Sequence, residues 1–89
     1  MNYVVIHRFI KENVSEEMIK PHVNYVRRLF DSGKLVITGP FTDGKGGGMF
    51  VLNVTDEEEM KQIVDNDPAI VSGIAVSEVR PYRIAFQQK

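Results

Sequence analysis

The stretch Ser15 to Gly33 (SEEMIKPHVNYVRRLFDSG) constrains this chain more than any other. At a period of 3.6 residues, Met18, Ile19, His22, Val23, Tyr25, Val26, Leu29 and Phe30 fall on one face. Glu16, Glu17, Lys20, Asn24, Arg27, Arg28, Asp31 and Ser32 fall on the other. Such a helix must lay its apolar stripe against something, and a sheet is the natural support. Ser15 is a candidate N-cap, Glu16 and Glu17 suit the positive end of the helix dipole, and Gly33 is a good residue to end it. Pro21 opposes a continuous helix, because it removes a hydrogen bond and crowds the preceding turn. Two arrangements follow: a short first turn and a break, or a helix that begins near Pro21. His22 lies within the apolar stripe, and an ionisable group there needs a partner or a task.

The flanking segments read as strands. Tyr3 to Ile10 (YVVIHRFI) is β-branched and aromatic, with Tyr3, Val5, His7 and Phe9 on one face and Val4, Ile6, Arg8 and Ile10 on the other. Lys34 to Thr42 forms a second strand in which Gly39-Pro40 implies an edge position or a bulge, since proline cannot donate to a ladder. Asp43 to Gly48 (DGKGGG) is a hairpin turn, and Met49 to Val54 is a third strand, apolar on both faces. Thr55 or Asp56 caps an acidic helix reaching about Asp65, with Met60, Ile63 and Val64 inward. Asn66-Asp67-Pro68 breaks it, Pro68 is able to open one more turn, and Gly73 to Ile84 makes a fourth strand.

The order is β-α-β-β-α-β, which predicts an α+β, ferredoxin-like fold: a four-stranded antiparallel sheet with two helices on one face. Eighty-nine residues without linker or repeat make one domain, 1–89. Two helices cover one sheet face only, yet the first and third strands are apolar on both. The open face is therefore expected to bury against a second copy, giving a homodimer with stacked sheets. A net charge of −1, from eleven basic and twelve acidic side chains, offers no attraction for nucleic acid or anionic membrane. No apolar run reaches the length of a membrane span, Met1 leads straight into a strand pattern, and cysteine is absent; the expectation is a soluble cytoplasmic protein.

Together, His22-x-x-Tyr25, Gly33-Lys34-Leu35 leading to Gly39-Pro40, Gly48, Asp67-Pro68, Gly73 and Arg80-Pro81-Tyr82 resemble the YciI family (YCII-related domain). That family lies within the dimeric α+β barrel group of ferredoxin-like proteins. The resemblance implies a fold like that of muconolactone isomerases, and a few relatives that act on chlorinated aromatic breakdown products by lyase or dehalogenation chemistry. It also implies an active-site histidine and aspartate, which here are His22 and Asp67. Ala69 departs from the pattern, since relatives often carry an aromatic residue after Asp-Pro, and a smaller side chain there is expected to widen or reshape the pocket.

On this reading His22 is a general acid or base, and Asp67 fixes its tautomer. Read from the residues alone, His22 is a core histidine bonded to backbone and Asp67 caps the turn at Pro68. His7 is either a second pocket residue or a group at the dimer interface. Arg8, on the opposite face, is a candidate clamp for a substrate carboxylate or else a strand-end ion pair. Tyr25, one turn beyond His22, points its hydroxyl to the same pocket or packs in the core. Gly39 and Pro40 shape the pocket rim. The glycine run lacks the Gly-Lys-Ser/Thr ending and the following helix of a phosphate loop, so a flexible turn is expected. Two histidines fifteen residues apart make no metal site by spacing, and no cofactor is expected. The functions left open are an isomerase, lyase, dehalogenase or hydrolase acting on a small organic acid or cyclic metabolite, a non-catalytic dimeric module that binds a small ligand or a partner, or a purely structural assembly domain.

Overall fold

The computed structural model describes residues 1–88. Strand β1 (Asn2–Phe9) leads to helix α1 (Glu16–Asp31), then to β2 (Leu35–Pro40) and β3 (Gly48–Asn53). Helix α2 (Glu57–Asp65), the single turn α3 (Pro68–Val71) and β4 (Ala75–Tyr82) complete the chain. The strands form one antiparallel sheet in the order β2-β3-β1-β4, the ferredoxin-like arrangement. No helix among the described residues is long and apolar enough to cross a membrane.

Pro21 does not break α1, which is continuous from Glu16 to Asp31. Ser15 holds the helix start by accepting from the Met18 N–H, so nucleation does not depend on Pro21. Proline leaves the Glu17 carbonyl without its helical donor, but both residues are exposed, so that carbonyl is open to solvent. The apolar stripe is broader than its contact with the sheet. His22 is buried and Ile19, Tyr25, Val26 and Leu29 are half-buried, whereas Met18, Val23 and Phe30 remain exposed.

Alternation along β1 sends Tyr3, Val5 and His7 beneath the helices, all buried. Tyr3 lies opposite Leu52 and Val5 opposite Phe50, and these side chains pack with Leu35, Val54, Met60 and Val64 in the main core. Ala69, Ile74 and Ala75 form a smaller cluster against Phe9, Val14 and Ile70. On the other sheet face, register aligns Val4 with Val51 and Ile6 with Met49; no helix covers them, yet Val51 is buried and the other three are half-buried. β2 is an edge strand, as Gly39-Pro40 implied, and its ladder shifts register between Leu35 and Ile37 before ending at Pro40. The following turn is tighter than the sequence foretold. Gly47 and Gly48 are buried; a Cβ on Gly47 would run into the His7 carbonyl, and one on Gly48 into the Gly39 carbonyl. Glycine is needed there so that β1, β2 and the turn can meet backbone to backbone.

Candidate functional site

His22 and Asp67, forty-five residues apart in sequence, meet in the folded chain. The helix stripe turns His22 inward at 5% exposure, and the break after α2 delivers Asp67 at 3% exposure. His22 Nδ1 lies 2.7 Å from Asp67 Oδ1 and 2.9 Å from Oδ2. Oδ1 also accepts the Ala69 N–H at 3.0 Å, which starts α3. Asp67 is thus both the cap and the partner of the histidine, two roles that from sequence were alternatives. A buried carboxylate with three close contacts is held in one orientation, and it holds the imidazole in turn. With Nδ1 engaged, Nε2 is the nitrogen left for a ligand.

His22 stands at the wall of a cleft of about 500 Å³ between α1 and the ends of β1 and β2. Ile19, Val23 and Val26 of α1 share its wall with His7 and Phe9 of β1. Thr38, Gly39, Pro40 and Phe41 form the far side, and Gly46 and Gly47 the end. The imidazoles of His7 and His22 touch, with ring centres 4.7 Å apart at 60°. Phe9 meets both rings edge-on, at 5.9 Å from His7 and 6.4 Å from His22. Burial lowers the pKa of His7 below the usual 6.5, and the neighbouring His22 adds to this; the Asp67 charge opposes it only in part.

Of the residues singled out from sequence, His22, His7, Gly39 and Pro40 line the cleft, and Asp67 stands directly behind His22. His7 is therefore a cleft residue and is not on the open sheet face. Arg8 is not in the cleft: period-two alternation turns it to the open face, where it is exposed and forms none of the ion pairs found among the described residues. Tyr25 does not reach the cleft either. Its hydroxyl donates to the Ile63 carbonyl at 2.7 Å and ties α1 to α2, while burial, followed by the Asp67 charge, raises its pKa. Ala69 packs in the smaller core cluster, away from the cleft lining, so its small size does not open the pocket directly. The glycine turn, expected to be flexible, contributes Gly46 and Gly47 to the wall. Thr38 and Val26 were missed. A period-two count back from Pro40 finds the first, and a one-turn step from His22 finds the second.

Three comparisons place the chain among known proteins. A family model described as the YCII-related domain matches residues 1–83. The uncharacterised protein YjpA of Bacillus subtilis (strain 168) is 27% identical over 73 residues, covering 82% of this chain and 85% of YjpA. Among solved structures, the chain is similar to 5-chloro-2-hydroxyhydroquinone dehydrochlorinase (TftG) from Burkholderia phenoliruptrix AC1100, in complex with 2,5-dihydroxybenzoquinone. The TM-score is 0.71 at 18% identity, covering 93% of this chain and 94% of that one. A dimeric ferredoxin-like protein of unknown function from Thermobifida fusca YX gives a TM-score of 0.50 at 12% identity, covering 91% and 89%. At such identities the structural likenesses speak for the fold, and the ferredoxin-like architecture is common to them. The match over residues 1–83 settles the lineage: the chain belongs to the YCII-related domain family.

Proposed function

We propose that this protein is an enzyme of proton-transfer chemistry acting on a small, uncharged cyclic metabolite, with His22 as the general base and acid. The observation that carries this reading is the contact of His22 Nδ1 with both oxygens of the buried Asp67 carboxylate, at the wall of an open cleft. The carboxylate keeps the proton on Nδ1 and leaves the Nε2 lone pair free. Nε2 takes a proton from a C–H or O–H of the ligand, whose bonding pair stays on the ligand. The resulting imidazolium is stabilised by Asp67. Returning the proton at another atom isomerises the ligand; loss of a leaving group with the electron pair completes an elimination. Neither course needs a redox cofactor.

The cleft supports a ring over a free acid. No lysine or arginine lines it, and its polar side chains are His7, His22 and Thr38. A carboxylate would enter without a fixed cation, which favours the cyclic class over the organic acid. The dehydrochlorinase of similar fold binds 2,5-dihydroxybenzoquinone, also a ring. The protein works as a homodimer joined through the open sheet face, a reading supported by the half-buried Val4, Ile6 and Met49, which no helix covers.

The test is a panel of lactones, cyclic ketones and chlorinated hydroxyquinols, followed by NMR for deuterium uptake or isomerisation and by halide release. His22→Gln should abolish turnover of any compound that reacts, and Asp67→Asn should slow it by about a hundredfold. Turnover that persists in His22→Gln, or a panel left wholly unchanged by the wild type, defeats the catalytic reading.

A further inference from the structure

Among the described residues, His7 is the one buried polar side chain that the His22–Asp67 pair leaves unexplained. It is 8% exposed, and its Nδ1 is shut away from solvent with no hydrogen-bond partner. Buried imidazole nitrogens without partners are uncommon and call for an account. Its ring lies in the cleft wall in contact with His22, at the position where β1 pairs with Gly48. The space beside its Cε1 exists because residue 48 has no side chain; a Cβ there would stand 3.2 Å from that atom.

We propose that His7 is a second ligand-contacting residue, whose Nε2–H donates to an oxygen of a neutral ring compound while an acidic hydrogen of the same compound faces His22 Nε2. This assignment rests on the cleft being the ligand site, and adds to it a donor and a ligand class: rings bearing a carbonyl-type oxygen. The tautomer follows from the burial. A proton on Nδ1 would leave an orphaned N–H donor inside the protein, rarer and less tolerable than an orphaned acceptor. A proton on Nε2 leaves the bare lone pair inside and gives a ring that lines the cleft a donor for a partner there. His22 is set the other way round, because Asp67 takes its Nδ1–H. The two touching rings therefore offer one donor and one acceptor to the same small volume. The lowered pKa of His7 agrees with a neutral donor rather than a cation. A donor held at a carbonyl oxygen also stabilises the charge that builds there when the neighbouring proton leaves.

Two measurements test this. Long-range ¹H–¹⁵N NMR of the wild type reads both tautomers, with His7 expected to carry its proton on Nε2. Acetophenone and ethylbenzene, ring probes of similar shape with and without the oxygen, are then titrated. Acetophenone is expected to bind about fivefold more tightly than ethylbenzene, and to shift the His7 and His22 ring signals. His7→Phe should bring that ratio to about one by weakening acetophenone alone. His7→Gln, which keeps an N–H donor near the position of Nε2, should retain most of the preference. A proton on His7 Nδ1, no shift with acetophenone, or a ratio indifferent to His7→Phe overturns the assignment. The outcome is separable from the catalytic reading. Loss of probe discrimination in His7→Phe upholds the donor even if His22 turns over no compound, and His22-dependent turnover does not rescue it if the probes are not discriminated.

Discussion

At the scale of single residues, His7 also links stability to pH. Its pKa in the folded chain lies below its ordinary 6.5 because burial and the adjacent His22 disfavour the charged ring. The unfolded chain therefore binds a proton first as pH falls. The stabilisation is complete above the unfolded value, and is lost from there downward until the folded ring is itself protonated. Between about pH 7.5 and about pH 5.5 the urea midpoint of the wild type should drop more than that of His7→Gln, which has nothing to titrate at this position. Equal drops would place the origin elsewhere. Which residues meet at the site was legible in sequence to a limited depth. His22 announces itself as an ionisable group in an apolar stripe, and Asp67 enters through the family resemblance. Their contact depends on the path of forty-five intervening residues, which no local pattern records. Arg8 and Tyr25 illustrate the limit from the other side. Both lie near the site along the chain, but strand alternation and helix phase turn their ends away from it.

Among the elements, strand and helix identities followed from periodicity, and the capping residues fixed several ends. Ser15, Asp56 and Asp67 each accept a backbone N–H at the start of a helix. The continuity of α1 through Pro21 was not legible, because a proline past the first turn argues locally for a kink, and whether the helix withstands it depends on its packing as a whole. The glycine turn was misjudged for a similar reason: composition shows that glycine permits mobility, not that neighbouring backbones require it. This has a measurable consequence. Gly47 has φ +75° and its missing Cβ would collide with the His7 carbonyl. Gly47→Ala should cost about 1–3 kcal/mol, lowering the thermal midpoint by several degrees. Gly44 also has positive φ, at +82°, but nothing surrounds its missing Cβ. The same change there should cost less, so paired melts of the two variants separate steric collision from backbone strain.

For the molecule as a whole, the order β2-β3-β1-β4 leaves one sheet face without helices, and the half-buried strip of Val4, Ile6 and Met49 is where the proposed homodimer closes. Ile6→Asp places a charge in that strip without touching the core beneath the helices. Sedimentation equilibrium should show a dimer for the wild type and association weakened by about a hundredfold or more for the variant, with helical circular dichroism retained. A wild type that stays monomeric at micromolar concentration would contradict the dimer. The span between His22 and Asp67 has a further implication, for how the protein is made. The two residues belong to different halves of the fold, and the strands of β2 and β3 and the whole of α2 lie between them along the chain. A partly formed chain can have its first helix and still lack the pair. The imidazole–carboxylate contact thus comes into being only with the long-range topology, so during refolding its N–H resonance would act as a clock for the non-local closure that joins the two halves.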